Sequence, residues 1–173
     1  MEQLWEIAKY ILPALVVLAT AYLLIEKFLE NERHHRNMVF KRESQGLTTP
    51  VRLQAYERLT ILLERISTGN LVSRVHKSGM SAKLLQAELL KAIRTEYEHN
   101  LSQQVYVSPG AWELIKNAKE ETIKLVNTAA INVTDEASGV DLGKLILEVS
   151  MSVDKMPTQV AIDYLKQEAR QLF

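Results

Sequence analysis

From Tyr10 to Ile25 the chain carries no charged side chain, and this run of sixteen residues constrains the fold more than any other feature. As a helix it covers roughly 24 Å at about 1.5 Å per residue, against a bilayer hydrocarbon core of about 30 Å. The flanks supply the difference. Leu4, Trp5 and Ile7 extend the apolar character upstream, and Phe28 and Leu29 extend it downstream. Lys9 and Lys27 have stems long enough to snorkel, and Trp5, Tyr10 and Tyr22 suit the interfacial belt. The nine strong aliphatics of the run supply roughly −3 to −5 kcal/mol on the insertion scale. Pro13 lies near one end, where a gap in the hydrogen-bond ladder does least harm. A single transmembrane helix is the expectation.

A cleavable signal peptide fits less well. It needs a basic start and a small-x-small site after the apolar run. Here the start is the acidic MEQLWE, and Ala19-Thr20-Ala21 lies inside the run with YLLI still to come. Orientation follows from the flanking cations. Upstream stands Lys9; downstream stand Lys27, Arg33, Arg36, Lys41 and Arg42. The excess of positive charge places the C-terminal side in the cytoplasm and the N-terminus outside. Arg33, Arg36, Lys41 and Arg42 are also close enough to the bilayer to meet anionic headgroups.

Beyond the anchor, proline punctuates the chain. Thr49-Pro50, Ser108-Pro109 and Met156-Pro157 each precede an apolar-periodic run, which predicts helices beginning near 50, 109 and 157. In PVRLQAYERLTILLERI, the residues Leu53, Tyr56, Leu59, Leu63 and Ile66 form one apolar stripe. Ile61 falls on the opposite, charged face, either as an exposed aliphatic or as a contact to something else. STGN ends this helix, and LVSRVHKSGM is compatible with extended backbone or a helical turn. SAKLLQAELLKAIRTEYEHN is a strong helix capped by Ser81, with Leu85, Leu89, Ala92, Ile93 and Tyr97 on one face. Val105-Tyr106-Val107 favours extended backbone. Trp112, Ile115, Ala118, Thr122, Leu125, Val126 and Ala129 share an arc of the next helix. Two more helices place Leu142, Leu145, Ile146, Val149 and Val153, then Ala161, Tyr164, Leu165 and Leu172, at core-facing offsets.

The expected architecture is therefore all-α: an N-terminal transmembrane helix followed by a small bundle of about five helices. Residues 1–29 form the anchor, 30–49 a juxtamembrane helix or linker, and 50–173 a cytoplasmic helical domain. That domain is electrically neutral, as is the whole chain with 21 basic and 21 acidic residues. Neutrality removes the electrostatic footprint of nucleic-acid binding.

No reaction motif emerges. The chain has no cysteine, which removes disulfides, thiolate catalysis and sulfur-ligated zinc. His34 and His35 beside Glu30 supply too few ligands at metal spacing, and His76 and His99 lie near helix ends as compatible cationic tips. The six glycines are scattered, without a phosphate-binding loop, and no G-x-S-x-G occurs. Gly139 and Gly143 form a small-residue pair outside the apolar span. The sequence thus offers no catalytic residue, no cofactor and no small-molecule substrate. Ile61 is the leading candidate for a partner contact, with Trp112 second, although a core role suits Trp112 better.

The strings LQAYERLTILLERI and SPGAWELIKNAKEE resemble an uncharacterised family of short, single-span membrane-anchored bacterial proteins of Bacteroidota type. The resemblance runs from the anchor to about residue 130. It implies an inner-membrane setting and carries no activity and no functional residue. Taken together, the chain reads as a non-enzymatic, membrane-anchored scaffold or docking protein, acting through a protein partner or self-association. Two other classes fit the residues: an enzyme whose site is assembled across several helices, and a lipid or membrane-surface module built on Arg33, Arg36, Lys41 and Arg42.

Overall fold

A computed structural model describes the backbone of residues 2–134 and 136–172; the side chains of 1–14, 16, 17, 19 and 33–47 lie outside the described residues. Among the described residues there are six α-helices: α1 (Glu2–Ile66), α2 (Thr68–Val75), α3 (Ala82–His99), α4 (Pro109–Ile131), α5 (Gly139–Met151) and α6 (Pro157–Leu172). A 3₁₀ helix, Leu101–Val105, joins α3 to α4. Among the described residues there is no strand, so the chain is all-helical. It divides into two compact units, 1–48 and 49–173.

In the first unit, α1 exposes Leu15, Leu18, Leu23, Leu24, Ile25, Phe28 and Leu29. Tyr22 and Lys27 are exposed as well. Among the described residues no helix is long and apolar enough to cross a membrane. The sequence span from Tyr10 to Ile25 lies in large part on side chains outside those residues. So do Trp5, Lys9, Tyr10, His34, His35, Arg33, Arg36, Lys41 and Arg42.

A separate helix does not begin at Pro50. The backbone is helical without a break from residue 2 to residue 66. A proline inside a helix forfeits the bond to the carbonyl four residues back, at a cost of roughly 3 kcal/mol. Pro50 is exposed, so water can take the freed carbonyl, and the flanking sequence is helical on both sides.

The second unit is a helical bundle. α4 packs most extensively on α6 and α3, α5 packs on α3 and α4, and α2 fills the angle between α3 and α5. The end of α1 contributes Ala55, Leu59, Leu62, Leu63 and Ile66, each fully buried. Leu53, expected on this stripe, is exposed, and Leu62 takes up the burial instead. On the helical wheel Leu53 stands about 60° from Tyr56 and about 80° from Leu63, at the edge of the buried arc and just before its first fully buried member, Ala55. Leu85, Leu89, Ile93, Ile115, Val126, Leu142, Ile146 and Leu165 complete one continuous core. Val153, Tyr164 and Leu172, assigned to core faces by spacing, are exposed: Val153 lies past the end of α5 and Leu172 at the last turn of α6, while Tyr164 in mid-helix keeps 38% of its surface in solvent.

Local signals set the helix starts. Ser81 Oγ accepts from Leu84 N at 3.3 Å, and Ser108 Oγ accepts from Ala111 N at 3.1 Å ahead of Pro109. Ser138 and Asp141 form a reciprocal capping box on α5. The starts of α3 and α5 are then stitched together: Ala82 N donates to Ala137 O at 3.0 Å, and Gly139 N donates to Met80 O at 2.7 Å. A Cβ on Gly139 would lie 3.0 Å from that same Met80 carbonyl. Gly143, four residues on, lets α5 approach α2, since its Cβ would meet Val72 at 3.2 Å. The Gly-x-x-x-Gly pair therefore serves packing inside this unit.

The segment from Leu71 to Val75 resolves as helix. Leu71 is fully buried and Val72 nearly so, and α2 docks through them on α3 and α5. Val105-Tyr106-Val107 is not extended: the 3₁₀ helix runs to Val105 and Tyr106 has a right-handed helical backbone. With no neighbouring strand to pair, β propensity has nothing to satisfy it.

Leu62→Ala should cost about 2–5 kcal/mol by denaturant unfolding, whereas Leu53→Ala should stay within about 0.5 kcal/mol. Equal losses at the two positions would contradict the placement of the buried stripe.

Candidate functional site

Two surface features of the second unit gather polar side chains from several helices. The first is centred on Glu168 of α6. Its carboxylate accepts from Tyr56 OH on α1, from Ser108 Oγ, and from Ser108 N at 3.0 Å. Ser108 caps α4, so the negative charge also sits at that helix's positive end. Beside it, Arg52 Nε donates to Tyr106 O at 3.3 Å. An adjacent cleft of about 680 Å³ is lined by Arg52, Tyr106, Ser108, Tyr164 and Glu168, among others.

The protonation behaviour of this cluster decides what it does. Burial by itself would raise the Glu168 pKa, but the hydrogen bonds from Ser108 and Tyr56 outweigh it and hold the carboxyl below its usual range. Burial, followed by the Glu168 hydrogen bond and charge, pushes the Tyr56 hydroxyl up to about 12. A general acid or base for neutral pH needs a pKa near the working pH. These two groups move away from neutrality in opposite directions. The arrangement is a clamp between α1, α4 and α6.

The second feature is an open groove of about 970 Å³. Its first wall is the charged face of α1, where Arg58, Ile61 and Arg65 recur at spacings of three and four. Arg74 and Val75 of α2, then Lys77 and Met80 of the following loop, close one end. The other wall is a stripe of α3: Leu84, Glu88, Lys91, Thr95 and His99. Ile61 is 47% exposed and Leu84 48%, so two large aliphatics face solvent within a polar frame. The rim is ordered by its own contacts. Arg65 Nε pairs with Glu96 at 2.9 Å, and Arg74 Nη2 donates to the Arg65 carbonyl at 3.2 Å.

Of the sequence candidates, Ile61 lies in this groove. Trp112 does not. It is partly buried against the core and stacks on Tyr97 with centroids 5.5 Å apart, while Lys119 Nζ sits 4.4 Å over the other ring. His76 caps the C-terminus of α2, at a helix end as its sequence position predicts, and its Nε2 is shielded from solvent with no hydrogen-bond partner among the described residues. The α3 stripe escaped sequence reasoning. Its signal was the pair Leu84-Leu85, since adjacent helix positions stand 100° apart and only one of the two fits the core face.

Fold and surface define an all-helical protein that carries a basic-rimmed, partly apolar groove on its second unit. The chain belongs to a family of unknown function (DUF7935), whose model matches residues 2–172. No curated protein and no solved structure matches it.

The clamp gives a signed pH dependence. Glu168 titrates below its ordinary value of 4.5, so its contribution is full above that pH and is lost as pH falls through the lower folded-state value. Tyr56 contributes fully below 10.0 and loses its contribution as pH rises through about 12. Tyr56→Phe should lower stability at neutral pH by about 1–3 kcal/mol. Glu168→Gln should flatten the acid limb of stability against pH in urea titrations. An unchanged acid limb would remove Glu168 from this role.

Proposed function

We propose that this chain is a single-pass, membrane-anchored docking protein of the bacterial inner membrane, of Bacteroidota type. The N-terminus lies outside, and the helical unit 49–173 acts on the cytoplasmic side through protein contacts. Its role is non-enzymatic, that of a scaffold. The observation that carries the docking half is the exposed Ile61 in a groove whose frame is otherwise charged.

The anchor half is supported by the uncharged run Tyr10–Ile25 and by the cations that follow it. It is also supported by Tyr22, Leu23, Leu24 and Ile25, four consecutive exposed positions. At about 100° per residue they face nearly every side of a helix, and a helix apolar all round belongs in lipid or in a core. Trp5, Lys9, Tyr10, Tyr22 and Lys27 would then lie at the two interfaces, with Arg33, Arg36, Lys41 and Arg42 toward the inner leaflet.

The absence of cysteine makes topology directly measurable. The chain should stay in the pellet when membranes are washed with alkaline carbonate. A lone cysteine at exposed Ser102 should resist a membrane-impermeant maleimide in intact cells and react after lysis; a lone cysteine at Gln3 should react in intact cells. Release by carbonate would remove the anchor, and labelling of Ser102→Cys in intact cells would reverse the orientation.

A further inference from the structure

We propose that the groove between the end of α1, α2 and α3 takes an acidic amphipathic helix of a partner protein. This deepens the docking role above, and it rests on the claim that this unit acts through protein contact. It does not depend on the anchor.

Charge complementarity names the occupant. Arg58, Arg65, Arg74, Lys77 and Lys91 border the groove against two carboxylates, Glu88 and Glu96. The surrounding domain is neutral, so this excess is local. Glu96 is already matched by Arg65. That pairing leaves other guanidinium N–H donors of Arg65 for a ligand, since the group carries five. Arg58, Lys77 and Lys91 make no ion pair among the described residues.

Shape and polarity narrow the class. From Leu84 to His99 the α3 wall runs roughly 22 Å, about four turns of an occupying helix. Ile61 on one wall and Leu84 on the other offer apolar contacts for a stripe at i, i+3, i+4 and i+7. Arg58 and Arg65 stand on the α1 edge of that line, Arg74 and Lys77 at its end, and Lys91 on the α3 edge, where acidic flanks of such a helix would meet them. A single phosphate or lipid headgroup is a point charge and calls for cations converging on one spot. A nucleic-acid backbone calls for an extended basic surface, and the neutral domain around the groove does not supply one.

The test uses the full chain in an uncharged detergent. The probe is a labelled four-turn peptide with leucines on one face and glutamates on the others. Its controls are the same helix with lysine for glutamate and a scrambled glutamate peptide. Anisotropy should show saturable binding of the first peptide only, with Ile61 and Leu84 methyl resonances shifting in NMR spectra. Ile61→Asp and Lys91→Glu should each weaken binding roughly tenfold while circular dichroism melts stay unchanged. About 0.5 M salt should weaken it comparably. Equal binding of the lysine or scrambled peptide, or indifference to both substitutions, would overturn the proposal. So would preferential binding of phosphatidylglycerol vesicles or of a second copy through the same residues. If carbonate releases the chain but the peptide binds, the anchor fails and the groove stands. If the chain stays membrane-bound and the peptide does not bind, the groove fails alone.

Discussion

The second unit depends on what the last turns of α1 do with their two faces. On one face Ala55, Leu59, Leu62, Leu63 and Ile66 are removed from water entirely. Full burial of a leucine or isoleucine contributes about 1.5–3 kcal/mol, so this face holds the helix against the bundle. The opposite face presents Arg58, Ile61 and Arg65. The 3.6-residue period keeps the two sets apart while fixing each relative to the other. The groove has a defined wall only because the stripe behind it is buried.

Polar ties then set where that wall stands. The Tyr56–Glu168 bond joins positions 112 apart in sequence, and Arg65–Glu96 joins α1 to α3 across the groove itself. A half-buried carboxylate is costly unless its lone pairs are filled, and Ser108 supplies two further donors. The same bonding that stabilises Glu168 as an anion and Tyr56 as a phenol makes both poor proton carriers near neutrality. This cluster thus ties α1, α4 and α6 together, while Arg58, Lys77 and Lys91 in the groove make no ion pair among the described residues.

Local features were legible in the sequence and long-range ones were not. Ser81, Ser108-Pro109 and Met156-Pro157 mark helix starts because capping is decided within a few residues. Pro50 misleads by the same logic. Proline at a first turn and proline inside a continuous helix share one local pattern, and only the surrounding backbone separates them. The short α2 was ambiguous because eight residues do not hold a helix alone; Leu71 and Val72 hold it by packing on other elements. Ile61 stood out because an aliphatic on a charged face breaks the period. The rest of the groove did not, since it is assembled from faces of three helices and a loop. Glu168 carried no signal, because its partners come from distant positions in the chain.

The central claim is that the end of α1 is a fixed part of the core and that the groove is therefore preformed. Amide hydrogen exchange on the full chain tests this directly. The account predicts that amides from Ala55 to Ile66 exchange as slowly as those from Leu85 to Ile93, in one cooperative unit. Exchange of the α1 segment several orders of magnitude faster than α3 would contradict it, for the wall bearing Ile61 would then detach while the bundle stayed folded.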